Sequence, residues 1–363
     1  VPLLSDDMAF WAGISARVSS LEPLFSWGAF LGGVVWDALT LDRIDRPGSQ
    51  LTLVVLWGVV VTCLLLIVLV RSEGKWAERL RWAAALGAQF GLGGLFSALS
   101  IFFVRSASWG SSALFVFIIV ALLVANEFFR EHYRNPVPLF TMWSIATSAL
   151  ALLVIPTVVG AVSQTTTIAA LGSAAALGLS VGWVIARLRS SATGGMGVIA
   201  VGVPFVLFGL YAANLIPPVP LVAKEVGIYH HLWRDEAGYH LVRYDQGWRN
   251  WVWRETSDEL VSVADAPVYC FSAVFAPEGV RTTIYHHWQK QEDASGAWIT
   301  HSRLAIPLTG GREGGYRGYS WVRQLDPGVW RCRVEDERGR SLGSAEVTVR
   351  EDPIDAREEV ILR

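Results

Sequence analysis

A chain of 363 residues that is 52% hydrophobic and only 17% charged, with a mean hydropathy of +0.39, is too apolar for an ordinary soluble domain. Its net charge of −2 and the absence of any basic cluster beyond a pair or triplet argue against nucleic acid as a partner. The charge is also unevenly spread: 18 of the 30 Lys and Arg, and 22 of the 32 Asp and Glu, follow residue 222.

Residues 1–20 read as an interfacial helix, because Phe10, Trp11, Ile14 and Val18 recur at helical spacing. With Val at position 1, a few leading residues are expected ahead of it, and the first apolar segment is expected to act as an uncleaved signal. Residues 21–216 then carry seven apolar runs of spanning length, near 22–41, 51–70, 83–104, 110–126, 139–160, 166–186 and 197–216. The run from Leu51 to Val70 holds no charge, whereas Asp37 interrupts the first. Asp37 reads as a helix-end residue near Asp42 and Arg43 rather than as an intramembrane acid. The pairs Gly28/Gly32, Gly87/Gly91 and Gly178/Gly182 suit close helix packing, and Pro156 and Pro204 sit inside the fifth and seventh runs.

Positive charge sets the expected orientation. Arg17, Arg71, Lys75, Arg79, Arg81, Arg130, Arg134, Arg187 and Arg189 fall on one side, against Arg43, Arg46 and Arg105 on the other. That bias expects a cytoplasmic N-terminus and, after seven crossings, a C-terminal region outside.

Residues 217–224, with Pro217, Pro218 and Pro220, read as a stiff linker, and 225–258 as a Trp-rich hairpin segment. In the latter, strands 239–244 and 248–255 would join at Asp245-Gln246-Gly247. From 259 to 350 the pattern is a meander with strands expected at 259–264, 268–275, 281–289, 297–306, 316–323, 329–337 and 341–349. Trp330, Cys332 and Val334 alternate with Arg331, Arg333 and Glu335, and Ala345, Val347 and Val349 repeat the pattern, while 351–363 reads as a charged tail. The expected fold is therefore a membrane all-α bundle of about seven transmembrane helices followed by a C-terminal all-β immunoglobulin-like sandwich.

Two resemblances bear on the outer region. The order Cys270, Trp288, Cys332 and the run Asp326-Pro327-Gly328-Val329-Trp330-Arg331-Cys332 resemble immunoglobulin-type sandwiches, with Trp330 at the place of their tyrosine. That resemblance makes Cys270 and Cys332 a candidate disulfide, two reduced and packed thiols being the alternative, while Cys63 reads as an apolar residue of the second run. The motifs Val274-Phe275-Ala276-Pro277, His286-His287-Trp288-Gln289, Gly310-Gly311-Arg312-Glu313-Gly314-Gly315-Tyr316-Arg317-Gly318-Tyr319 and Gly328-Val329-Trp330-Arg331 resemble an uncharacterised family of bacterial polytopic inner-membrane proteins. Its members end in a domain of unknown function. The resemblance implies a Gram-negative inner membrane with that domain in the periplasm, and no activity.

The glycine-rich stretch offers Arg312 and Arg317 as a candidate anion site, the alternative being a wide turn with its arginines paired to acids. Trp248, Trp251 and Trp253, interspersed with Arg249 and Arg254, are candidates for headgroup contact or recognition. Six of the seven histidines lie in the outer region, yet none shows metal-ligand spacing, so neither metal nor cofactor is expected. There is no nucleophile elbow, His-Glu-x-x-His run or Cys-x-x-Cys. The reading is a non-enzymatic anchor or accessory subunit that contacts membrane lipids and a protein partner or envelope ligand. A membrane enzyme working near Asp37, Asp42, Arg43 and Arg105, or a small-solute transporter with Gln89 in its cavity, are the alternatives.

Overall fold

The structure is a computed structural model and describes residues 32–41, 43–70, 74–107, 112–188, 195–236, 238–243, 259–262, 267–350 and 358–362. Among these residues, seven helices precede a β-rich region. They are α1, described over 32–40, α2 (Pro47–Leu69), α3 (Lys75–Ser106), α4 (Ala113–Phe128), α5 (Pro136–Val159), α6 (Gln164–Leu188) and α7 (Met196–Ala212). Four of them, α2, α3, α5 and α6, are long and apolar enough to cross a membrane, and α4 and α7 are shorter apolar helices. A 3₁₀ turn at Arg130–Arg134 links α4 to α5.

Local chemistry fixes the helix ends. Pro47 and Pro136 occupy first-turn positions, where their missing N–H is no loss. Asn135 caps α5 by accepting from the Val137 amide at 3.0 Å, and Gly160, at φ 74°, terminates it. Ser163 and Thr166 bond reciprocally ahead of α6, Ser163 N donating to Thr166 Oγ1 and Thr166 N to Ser163 Oγ. Two of the boundaries that depart from the hydropathy reading have a local cause. Helix α3 begins at Lys75 rather than near 83, because Lys, Glu and Arg in its first turns are good helix formers that hydropathy does not count. Helix α7 stops at Ala212 rather than 216, since Asn214 turns to φ 58° and prolines follow.

Helix α2 packs on α3 and α5, α3 on α4, and α6 on α5 and α7. Glycines set two of these approaches: a Cβ at Gly91 would lie 2.7 Å from Val60 Cγ2, and one at Gly178 3.0 Å from Ala200 Cβ. A Cβ at Gly32 would meet nothing within 4 Å among the described residues, and Gly28 lies outside them. The bundle core is built of Leu, Ala and Phe around Trp143, whose ring lies 5.9 Å from Trp57 and 5.5 Å from Phe140.

Eleven described strands follow: β1 (Val222–Tyr229), β2 (His231–Arg234), β3 (Tyr239–Arg243), β4 (Glu259–Ser262), β5 (Val268–Phe275), β6 (Arg281–Gln291), β7 (Trp298–Thr309), β8 (Tyr316–Val322), β9 (Gly328–Glu335), β10 (Ser341–Arg350) and β11 (Glu358–Leu362). They form sheets in the orders β4-β10-β9-β6-β7, β1-β5-β8 and β11-β3-β2, antiparallel except for the β4–β10 pair. Alternation along β9 buries Trp330, Cys332 and Val334. With Cys270, Trp288 and Val347 these residues fill the space between the five-stranded and three-stranded β1-β5-β8 sheets. Tyr229, Leu232, Leu241, Phe271 and Ala273 form a second core on the other side of β5, under β2 and β3.

Three expectations are corrected. Strand β1 starts at Val222, inside the stretch read as linker, and runs along β5 in place of a free connection. Both edges of β3 are taken, by β2 and β11, so its partner is not a following hairpin strand; 248–255 lies outside the described residues. Residues 358–362, read as charged tail, carry Val360, Ile361 and Leu362 into β11.

Candidate functional site

The β-rich region is clasped to one end of the helices. Asp45, in the α1–α2 loop, accepts from Arg43 Nε at 2.9 Å and Arg43 Nη2 at 2.5 Å, and from the Glu278 amide at 2.9 Å. Burial opposes its charge, but these donors hold the Asp45 carboxyl below its ordinary range. The Arg281 amide donates to Gly160 O at 3.0 Å, and Arg46 meets Glu313 at 3.3 Å. At the tip between β9 and β10, Arg338 and Arg340 lie 4.5 and 4.7 Å from the ring of Tyr211 of α7. Arg340 is itself fixed by Asp336 at 2.7 Å, both being buried.

Within this seam lies a cavity of about 240 Å³ lined by Arg43, Arg105, Lys224, Phe102, Leu153 and Phe275, with Glu313 also contributing. The Arg43 guanidinium is 4.8 Å and the Lys224 ammonium 5.9 Å from the Phe275 ring centre. Arg105 donates to Leu41 O at 2.9 Å and Ala38 O at 3.3 Å, closing the end of α1. The sequence pointed to Arg43 and Arg105 here but placed neither Lys224 nor Phe275 beside them, since their proximity depends on β1 lying along β5.

The glycine-rich stretch does not gather its two arginines. Consecutive residues of a strand face opposite ways. Arg312 accordingly sits over Tyr316 at 5.4 Å, while Arg317 lies 5.8 Å from the Tyr239 ring across the β1-β5-β8 sheet. The amides are committed as well: Gly310 N donates to Val280 O, Gly311 N to Ala276 O and Gly315 N to Arg312 O. A Cβ at Gly310 would collide with the Pro277 carbonyl, and Gly315 takes φ 85°, so these glycines serve a turn stacked against 276–280. Trp248, Trp251 and Trp253 lie outside the described residues.

Cys270 and Cys332 are bonded, with Cα atoms 6.2 Å apart, and Cys63 is buried and free. His286 is close enough to both sulfurs to form, by position, a three-ligand group, but bonded sulfurs offer no thiolate to a metal. The imidazole is instead held by Ser272 Oγ at 2.8 Å and Ser320 Oγ at 2.9 Å, the second also accepting from Trp288 Nε1. Burial lowers its pKa to about 4. On the opposite face of β6, His287 bridges Glu335 at 2.9 Å and Thr300 at 2.8 Å, with Arg303 and Arg333 beside Glu335. This order of acid, imidazole and hydroxyl resembles a nucleophile relay, but the two arginines make it a cross-strand polar ladder.

An aromatic strip crosses the outer side of the β1-β5-β8 sheet. Trp233, His231, Tyr269 and Tyr319 follow one another at ring distances of 5.3, 6.3 and 6.3 Å. Trp321 pairs with Tyr269 across the strands and carries Arg323 at 5.0 Å. Tyr319 and Trp321 are 47% and 49% exposed, unusual for such large rings on a sheet. Their signal in the sequence was the alternation Gly318, Tyr319, Ser320, Trp321, Val322, in which the aromatics occupy the outward positions.

The family model of a protein of unknown function, DUF2914, matches residues 281–349. The DUF2914 region runs from β6 to β10, so it includes Trp288, the glycine-rich turn, Trp330 and Cys332 but neither Cys270 nor the helices. An uncharacterised domain at this place agrees with the family resemblance. No curated protein matches the chain. Among solved structures, the alkylpurine DNA glycosylase AlkC of Pseudomonas fluorescens, bound to DNA containing an abasic site analog, aligns at 13% identity over 77% of this chain and 83% of its own. Its TM-score is 0.19, which carries no statement about fold or activity.

Proposed function

We propose that the chain is a seven-span inner-membrane protein whose immunoglobulin-like β-region stands in the periplasm and binds a protein partner, as the anchor or accessory subunit of an envelope complex. Four spans have the required length, and the remaining three are assigned to α1, α4 and α7. Lys75, Arg79 and Arg134 gather at the far ends of α3 and α5 from the β-region, with Arg134 3.7 Å from Glu78, which supports a cytoplasmic face there. An extensive apolar core of Leu, Ala and Phe suits an anchor. The disulfide suits an oxidising compartment.

The observation that carries the recognition role is the pair of exposed rings Tyr319 and Trp321 beside the half-buried Tyr269, with Arg323 over Trp321 and Arg317 near Tyr239. Trp, Tyr and Arg are the side chains that dominate binding energy at protein interfaces. A partner presenting carboxylates around an apolar centre matches it. The test is purification from native membranes in mild detergent, with mass spectrometry of the co-purifying proteins for wild type and for Trp321→Ala with Arg323→Ala. Loss of one defined protein from the variant supports the reading, and an unchanged set of proteins refutes it.

A further inference from the structure

We infer that the partner met by Tyr319 and Trp321 supplies an extended segment, which adds as a strand to the open edge of β8. Its apolar side chains lie against the two rings and a carboxylate meets Arg323. The inference deepens the proposed recognition role and rests on it.

Strand β8 ends the β1-β5-β8 sheet. It pairs with β5 from Tyr316↔Val274 to Val322↔Val268, and among the described residues no strand lies along its other edge. Alternate residues of such an edge turn their N–H and C=O groups away from the sheet, open to pairing with a further strand. Proline, lysine and bulges are the usual guards of an edge. Strand β8, Tyr-Arg-Gly-Tyr-Ser-Trp-Val, has none of them and pairs with β5 without a register shift. The outer strand of the five-stranded sheet, β7, by contrast carries Pro307, which offers no N–H.

The two faces of β8 differ. Gly318, Ser320 and Val322 are buried, and Ser320 bonds His286 and Trp288, which makes that face the core side. Arg317, Tyr319 and Trp321 take the opposite face, and Arg323 follows just beyond the strand. On the neighbouring β5 the same face is covered, Phe271 packing with Leu232 and Leu241 of β2 and β3. That cover reaches Tyr239, 5.5 Å from Phe271 and 5.8 Å from Arg317, and leaves Tyr319 and Trp321 at 47% and 49% exposure. A strand laid along β8 would cover both rings, because residues directly opposite one another in paired strands have Cβ atoms about 5 Å apart.

Charge completes the description of the occupant. Arg323 is exposed, lies 5.0 Å from the Trp321 ring and makes no ion pair among the described residues. An acidic side chain at this end of the added strand meets it and fixes register. From Arg317 to Arg323 an extended chain spans roughly 20 Å, so a short segment suffices.

The experiment uses the full-length protein in neutral detergent and the fluorescent peptide Thr-Glu-Thr-Val-Thr-Val-Thr-Glu-Thr, which reads the same in both directions and sets two valines between two carboxylates. Anisotropy is expected to show saturable binding in the micromolar range. Hydrogen–deuterium exchange is expected to slow in 316–322 when the peptide is added and to stay unchanged in 298–309, the other edge strand. Trp321→Ala is expected to weaken binding about tenfold and Arg323→Gln about two- to fivefold. Lys224→Gln, an exposed cation on the far edge strand β1, is expected to leave it unchanged. The same peptide N-methylated at every inner amide keeps its side chains, loses its donors and is expected not to bind. If it binds as tightly, with exchange of 316–322 unaltered, strand addition is wrong and side-chain recognition alone remains. No saturable binding of the unmodified peptide, or equal binding by Trp321→Ala, also overturns the proposal. So does protection of 316–322 that rises with protein concentration in the absence of peptide, which assigns the edge to a second copy. The recognition role is read separately, by co-purification with the Trp321 and Arg323 variant, so the two readings fail independently.

Discussion

His286 makes the stability of the β-region depend on pH in a calculable way. Its ring is fully buried between Ser272 and Ser320, and burial lowers its pKa to about 4 from an ordinary 6.5. Below pH 6.5 the unfolded chain takes up a proton that the folded chain refuses until about pH 4, so the stability contributed is complete above 6.5 and is lost as pH falls through this window. Two and a half pKa units correspond to ~3 kcal/mol in full, of which about 2 kcal/mol is lost between pH 7 and 4.5. Hydrogen–deuterium exchange of β6 and β9 amides, corrected at each pH for intrinsic rates, reads this opening free energy directly. Comparing wild type with His286→Gln removes the titration of every other group from the difference. The wild type should lose about 2 kcal/mol more than the variant between pH 7 and 4.5. Parallel pH curves for the two proteins would refute a buried, neutral imidazole.

Other consequences are simpler. Gly91→Leu should lower the melting temperature, at a cost of about 1–3 kcal/mol, because its side chain meets Val60 and Leu56; Gly172→Leu, whose Cβ meets nothing within 4 Å among the described residues, should not. Replacing Cys270 and Cys332 by Ala should destabilise the β-region by ~4 kcal/mol, from the loop-closure entropy of a 62-residue separation, measured by denaturant titration of proteolytic resistance. Asp45→Ala removes the carboxylate that holds Arg43 and the Glu278 amide, at a cost of about 1–3 kcal/mol, and should speed amide exchange in 276–281 without changing that of β9.

Much of this architecture was legible because its signals are local. Twenty uncharged residues from Leu51 announce a helix whatever they touch, and Trp330, Cys332 and Val334 announce a half-buried strand by alternation alone. The seam was not legible, since it joins Arg43, Arg105, Lys224 and Phe275 through the docking of β1 and β5 on the helix ends, a relation no sequence period encodes. In the glycine-rich stretch the sequence left an anion site and a wide turn both open, because glycine marks open nests and tight turns alike; the structure commits the Gly310 and Gly311 amides to Val280 and Ala276 and that of Gly315 to Arg312. Strand β1 was hidden by three prolines at 217–220, which read as linker although the strand starts only two residues later.

The arrangement stands or falls on sidedness, and single cysteines read it most directly. Asp293→Cys, in the exposed turn between β6 and β7, should react with a membrane-impermeant maleimide added to intact cells whose outer membrane has been opened. Arg79→Cys, in the first turns of α3, should react only after the inner membrane is broken. Labelling of position 79 from outside while position 293 stays protected would contradict the account.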